Sequence, residues 1–239
     1  MAKAKVAPEV LAHLEWLGYV QPTGLVVSAP ALVKAGVVLD RRDGAGQLLL
    51  KQCVTERVVD PNAAAEPCIP DFEVFARSVL GWSFSPKYYA GTDEAAVPYE
   101  LELALPEYGE TLRPDYAVRE PEPKDGGPKW QLLVRVLKAG ADFEEVSRGD
   151  GRLEASEHSR MERLLRHTGV LAGVLFNGTH LRLISAPRGE SSGWLDFRVA
   201  DMLTTAGRPI STAMRSLLSE GRLVALLLSD VVGNPLDVI

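Results

Sequence analysis

The sequence of 239 residues contains little cysteine, few aromatic residues and no long apolar stretch. Its two cysteines, Cys53 and Cys68, are too few for a disulfide framework or a four-ligand zinc site. No apolar run approaches the ~20 residues that a membrane-spanning helix needs, and the first residues lack the apolar core of a signal peptide. We therefore expect a cytoplasmic protein without a membrane partner.

Positive charge is scarce as well. The chain has 26 Lys+Arg against 32 Asp+Glu, which gives a formal net charge of −6. This balance argues against a protein that coats nucleic acid nonspecifically. It does not exclude a nuclease, because an active site that holds Mg²⁺ is itself acidic. The hydrophobic share of 46% and the charged share of 24% are those of a folded protein.

Apolar periodicity from residue 70 onwards predicts a succession of helices and strands. In chain order these are a helix over 71–80, strands over 101–105, 111–118 and 130–137, a helix over 156–167, and strands over 170–176, 180–184 and 194–199. The near-continuous apolar run over 130–137 is typical of a central strand. This order predicts an α/β fold with a mixed central sheet flanked by helices.

The same patterns divide the chain into three segments. Residues 1–69 read as a helical and irregular extension, and residues 70–200 as the α/β core. Residues 201–239 are expected to form a helical segment that leads to a part of the protein absent from this sequence.

Asp115 and Lys138 are the residues that suggest chemistry. Asp115 follows Pro114 in the second strand of the predicted hairpin, and Lys138 ends the following strand. If these strands are neighbours, both side chains reach one edge of the sheet, where a carboxylate can hold Mg²⁺ and a lysine can position the attacking water. The alternative interpretation is a carboxylate that caps backbone N–H groups and a solvated lysine.

This order of elements, with Pro-Asp on the second strand and Lys at the end of the third, is similar to the PD-(D/E)XK nuclease core. The resemblance implies a restriction-endonuclease-like fold, with Asp115 as a metal ligand and Lys138 as a catalytic residue. The family has an acid two positions before the lysine, where this chain has Val136. Glu154 or Glu157, in the following helix, would have to supply the missing carboxylate; the alternative is that they favour the helix N-terminus electrostatically.

Arg160, Arg163 and Arg166 recur at helical spacing and predict a basic stripe on the helix over 156–167. They are candidate contacts to DNA phosphates. The alternative is a solvated helix face, on which these arginines pair with Glu157 and Glu162.

Three segments resemble the N-terminal region of Eco57I-like type IIG restriction-modification methylases, including adenine methylases of DISARM-type phage defence. They are residues 14–33 (LEWLGYVQPTGLVVSAPALV), 77–82 (RSVLGW) and 161–197 (MERLLRHTGVLAGVLFNGTHLRLISAPRGESSGWLDF). In such proteins a nuclease-like region precedes an adenine-methyltransferase domain. The resemblance implies double-stranded DNA, a downstream methyltransferase domain and partner defence subunits as partners. S-adenosylmethionine would bind only in that downstream domain.

Three functions remain open from the sequence. The first is a bacterial nuclease-like domain whose catalytic motif has degenerated and which serves DNA binding or complex assembly. The second is an active Mg²⁺-dependent endonuclease that uses a helix carboxylate. The third is a protein–protein interaction module, which the acidic net charge favours.

Overall fold

A mixed β-sheet of seven strands runs through the centre of the protein. The computed structural model of the chain describes residues 6–223, apart from 25–26, 41, 63, 124–125, 128 and 148–152. In spatial order the strands are β1 (Thr23–Gly24), β11 (Gly193–Arg198), β10 (His180–Ser185), β9 (Ala172–Phe176), β8 (Trp130–Val136), β7 (Tyr116–Arg119) and β4 (Tyr89–Ala90). Strands β8 and β9 are parallel, and the other neighbouring strands are antiparallel.

Two small hairpins lie outside the sheet. They are β2 (Thr55–Arg57) with β3 (Glu66–Cys68), and β5 (Leu103–Leu105) with β6 (Glu110–Leu112). The helices are α1 (Pro8–Val20), α2 (Ala29–Lys34), α3 (Gly44–Gln52), α4 (Phe72–Phe75), α5 (Glu157–Thr168), α6 (Val199–Met202), α7 (Arg208–Leu218) and α8 (Glu220–Leu223). A π-helical turn, Ala76–Leu80, continues α4, and short 3₁₀ turns cover Tyr99–Leu101 and Pro106–Tyr108. In the described part of the chain, no helix has the length and apolar character required to cross a bilayer.

Alternating side chains of the central strands build a core on each face of the sheet. In β8, Leu132 and Val134 belong to the core that the N- and C-terminal helices cover, whereas Leu133 belongs to the core under α5. Helix α5 begins at Glu157 because the Ser156 hydroxyl accepts a hydrogen bond from the Ser159 N–H group. Its buried Met161, Leu164 and Leu165 face the sheet.

The structure confirms the predicted mixed α/β architecture and corrects one strand. Residues 111–118 do not form one strand: β6 pairs with β5, and β7 enters the central sheet beside β8. Residues 113–115 separate the two pieces, and Pro114 among them has no N–H group to donate to a sheet. The strand predicted over 194–199 corresponds to β11, and it lies inside the sheet because β1 pairs with its outer side.

The three segments predicted from the sequence share one apolar core where they are described. Trp16 of α1 stacks on Phe197 of β11 at 6.2 Å between ring centroids, and Met214 of α7 belongs to the same core. The predicted C-terminal helical segment is described as far as Leu223, and residues 224–239 lie outside the described part of the chain.

Candidate functional site

Asp115 lies immediately before β7, and both of its carboxylate oxygens accept hydrogen bonds. Oδ1 accepts from the Arg135 guanidinium, with 2.9 Å between Oδ1 and Nη1. Oδ2 accepts from the Val136 backbone N–H group at 2.7 Å. The Asp115 N–H group in turn donates to the Val134 carbonyl at 2.8 Å. These bonds fix the carboxylate against the end of β8.

The register of β7 and β8 places Arg135, not Val136, opposite Asp115. Tyr116 pairs with Val134, and the same antiparallel register continued by one residue pairs Asp115 with Arg135. Leu137 packs with the core under α5, whereas Val136 packs with the core on the opposite face. Since alternate residues of a strand share a face, Arg135 and Leu137 are the β8 side chains on the α5 side.

Glu157 is the helix carboxylate that comes near Asp115. It lies in the first turn of α5, where its Oε2 is 4.0 Å from Arg135 Nε and its Oε1 is 3.8 Å from Arg160 Nε. The Arg135 guanidinium therefore lies between the carboxylates of Asp115 and Glu157. Glu154, the other candidate, is exposed in the segment before α5 and does not line the cleft that holds Glu157.

This cleft has a volume of about 340 Å³ and lies between α5, the β5–β6 hairpin and the ends of β7 and β8. Its charged lining consists of three arginines and three acids: Arg113, Arg135, Arg160, Glu110, Asp115 and Glu157. The hydroxyl residues Thr111 and Ser147 contribute to its wall.

Lys138 does not join this cleft. It is exposed, two residues beyond the end of β8, and the cleft-lining residues do not include it. The Leu137 N–H group donates to the Phe176 carbonyl at 2.7 Å, so the strand-like hydrogen bonding continues one residue past β8. Because side chains alternate between the two faces of a strand, position 138 does not share the face of Arg135 and Leu137. The structure therefore brings Asp115 together with Arg135 and Glu157, but not with Lys138.

The three arginines of the predicted stripe have different environments. The Arg160 side chain is 9% exposed; its Nη1 is 2.6 Å from Glu110 Oε1, and its Nη2 donates to the Leu153 carbonyl at 2.7 Å. Arg163 lies at the surface, 3.9 Å from Glu107, and Arg166 lies 3.5 Å from Glu162. Arg160 is consequently an internal ion-pair partner, and only the other two are available at the surface.

A magnesium ion does not fit the residues as they are arranged. Mg²⁺ is held by carboxylate oxygens at about 2.0–2.1 Å, and the carboxylate of Asp115 already has a positive guanidinium beside it, with Arg135 Nη1 at 2.9 Å from Oδ1. Among the described residues, no three His, Cys, Asp or Glu side chains converge in a way that could hold a metal ion. Arg135 supplies the positive charge at this point of the site.

A buried arginine on β10 fixes the segment after β8 that carries Ser147. Arg182 makes two hydrogen bonds to Asp196, at 2.7 and 2.8 Å, and pairs with Glu144. Its Nη1 lies 3.2 Å from His158 Nδ1, which must carry the lone pair because arginine is only a donor. Burial lowers the pKa of His158, so this histidine is held neutral between Arg182 and Glu162.

Sequence reasoning missed Arg113, Arg135 and Glu110. The signal for Arg135 was strand alternation: position 135, not 136, shares a face with an acid on the neighbouring strand. Glu110 and Arg113 come to the cleft through the break at Pro114, which the prediction of one continuous strand concealed.

Searches with this chain find no matching family model, no matching curated protein and no matching solved structure.

Proposed function

We propose that this chain is a nuclease-like domain that does not cleave DNA, and that it serves DNA binding or assembly in a bacterial restriction-modification or phage-defence methylase. The observation that carries this proposal is the guanidinium of Arg135 between Asp115 and Glu157. It occupies the place where a PD-(D/E)XK-like site would hold a divalent cation.

The connection of the strands supports the nuclease-like part of the proposal. Strands β4, β7 and β8 are consecutive antiparallel neighbours in the sheet, and α5 then connects β8 to the parallel strand β9. The sequence predicted the first of these strands over 101–105; in the structure β4 takes the first place instead, and the succession of three antiparallel strands, a helix and a parallel strand is kept. The β5–β6 hairpin is inserted between the first and second of these strands, and Pro114-Asp115 stands at the start of the second.

The register supports the loss of cleavage. If position 135 corresponds to the second acid, the lysine two residues later corresponds to position 137. This chain has Arg135 and Leu137 there, so an acid and a base of the motif are both replaced. A guanidinium neutralises the neighbouring carboxylates but offers no open coordination position for a substrate oxygen.

The alternative of an active endonuclease depends on Glu157, because it is the helix carboxylate in the cleft. It requires Arg135 to leave Asp115, since the guanidinium now separates the two acids. The site as arranged favours the non-cleaving version. Methyl transfer with S-adenosylmethionine is assigned in this proposal to a downstream domain, and no Mg²⁺ step is assigned to this chain.

The test combines a cleavage assay with a cation-binding measurement. We expect the protein to leave supercoiled plasmid intact with Mg²⁺ or Mn²⁺. We expect Arg135→Glu, which places a third carboxylate beside Asp115 and Glu157, to bind Mn²⁺ detectably in a spectroscopic titration, whereas the unaltered protein does not. Arg135→Gln is the matched control that removes the charge without adding a ligand. Plasmid cleavage that is lost in Asp115→Ala would contradict the proposal and favour the endonuclease.

DNA binding needs a separate test, because the helix stripe is smaller than the sequence predicted. Arg163 and Arg166 are the members of the stripe at the surface, so the double change to Ala should weaken binding to unrelated duplexes equally. Filter binding at several salt concentrations measures this. If the protein binds no duplex at low salt, the result contradicts a DNA-binding role and leaves two functions, complex assembly and a protein–protein interaction module. The net charge of −6 favours the interaction module.

A further inference from the structure

Hydrogen-bond donors outnumber the free acceptors in the cleft beside Asp115. Both oxygens of Asp115 accept hydrogen bonds, and Glu110 Oε1 accepts from Arg160. Each oxygen of Glu157 lies within 4.0 Å of a guanidinium nitrogen. Each acid that lines the cleft therefore already forms an ion pair with an arginine of the protein itself.

Several donors of the cleft remain uncommitted. Arg113 is exposed at its wall and makes no hydrogen bond or ion pair with any other described residue. Arg135 donates to Asp115 through Nη1, and its Nη2 makes no hydrogen bond within the described chain. The hydroxyl groups of Thr111 and Ser147 also line the cleft without a described hydrogen-bond partner. Guanidinium and hydroxyl donors around a small cleft match a ligand that is rich in acceptor oxygens.

We propose that the cleft binds one phosphate group, with Arg113 and Arg135 as its principal donors. A tetrahedral phosphate can accept from both guanidinium groups at once, because its oxygens point in several directions. The proposal rests on the proposed function in one respect: a nuclease-like domain makes the DNA backbone the source of the phosphate. Free phosphate or a mononucleotide presents the same group and is the other source.

The formal charge of the cleft determines how strongly it attracts an anion from a distance. Three arginines and three acids give it a formal charge of zero, so its long-range attraction for an anion is small. Binding must depend on the local hydrogen bonds of Arg113 and Arg135. One phosphate contact contributes a slope of about −0.9 to the dependence of log K on log salt for duplex DNA, and the loss of Arg113 should reduce the total slope by about that amount.

The experiment uses Arg113→Ala, Arg113→Lys and a charge-matched control, Lys51→Ala. Lys51 is exposed on α3, whose Leu50 packs in the core on the opposite face of the sheet from α5. The probes are inorganic phosphate, a mononucleotide and a duplex of mixed sequence. We expect Arg113→Ala to weaken phosphate and duplex binding by about tenfold, Arg113→Lys to weaken them less, and Lys51→Ala to leave them unchanged.

The outcomes separate the two proposals. Duplex binding that responds equally to Arg113→Ala and Lys51→Ala overturns the phosphate site but leaves a DNA-binding domain. Phosphate binding that depends on Arg113, in a protein that binds no duplex, supports the site with free phosphate or a nucleotide as its source and contradicts DNA binding. Absence of binding to all three probes at low salt overturns the phosphate site.

Discussion

Replacing Arg160 tests whether the arginine stripe of α5 is a nucleic-acid surface or part of the folded core. If Arg160 were a surface contact to a DNA phosphate, its truncation would weaken DNA binding and leave the stability of the protein unchanged. The structure predicts the reverse for Arg160, because its side chain is 9% exposed and pairs with Glu110, whose side chain is 26% exposed.

The expected cost follows from the groups left behind. Arg160→Ala removes the guanidinium from Glu110 and leaves the Leu153 carbonyl without this donor. Breaking a buried ion pair by removing one partner costs about 3–5 kcal/mol. Since Glu110 retains partial access to water, we expect about 3 kcal/mol, at the lower end of that range. Such a loss lowers the ratio of folded to unfolded protein by about a hundredfold.

Urea unfolding at neutral pH measures this loss, with Arg163→Ala as the matched control on the same helix. Arg163 is half-exposed, and its nearest acid is 3.9 Å away, so its truncation should change the free energy of unfolding by no more than about 0.5 kcal/mol. Adding Glu110→Gln to Arg160→Ala should recover part of the stability, because no unpaired charge then remains. Equal small losses for Arg160 and Arg163 would refute the assignment of Arg160 to the core.

Three further changes test other parts of the structure. Burial lowers the pKa of His158 below its ordinary value of 6.5. As the pH falls below about 6.5, the folded state therefore binds fewer protons than the unfolded chain, and the stability of the protein decreases. The substitution His158→Gln should reduce this decrease, measured as the urea midpoint between pH 7 and pH 5. Gly173→Ala places a Cβ 2.7 Å from the Met161 sulfur and should cost about 1–3 kcal/mol in thermal unfolding, whereas Gly18→Ala, with no atom within 4 Å, should be neutral or stabilising. Gly91→Ala should be the most damaging, because its Cβ would lie 1.9 Å from the Asp115 carbonyl oxygen and its φ is +90°; circular dichroism and melting temperature would reveal a tolerated substitution.

Periodicity predicted the elements that bury a regular pattern. The apolar run over 130–137 became β8, and the helix over 156–167 became α5 with ends within one residue of the prediction. The strands predicted over 170–176 and 180–184 became β9 and β10, which pair antiparallel. These elements could be predicted because they depend on the spacing of apolar residues along the chain, which can be read from the sequence.

The candidate site was harder to predict because it depends on register and on long-range contacts. Asp115 was identified from its Pro-Asp context, but its partner on β8 depends on which residue of that strand lies opposite, and a shift of one position reverses the face. Glu110 reaches Arg160 across 50 residues of chain, a contact that no local pattern indicates. Arg160 was predicted to face solvent from its spacing alone, although Leu153 and Glu110 enclose it.

Asp115, Glu157 and Arg135 form one electrostatic arrangement. Asp115 and Glu157 line the same cleft, and two carboxylates that share a small volume repel each other unless a cation lies between them. In a metal-dependent site that cation comes from solution, and the fold then depends on its concentration. Here the cation is the side chain of Arg135 in β8, so Asp115 and Glu157 remain neutralised without any metal. A second guanidinium, that of Arg160, neutralises Glu110 in the same way. The charges of the three acids are therefore balanced within the protein, and what remains available to a ligand is the set of donors on Arg113 and Arg135.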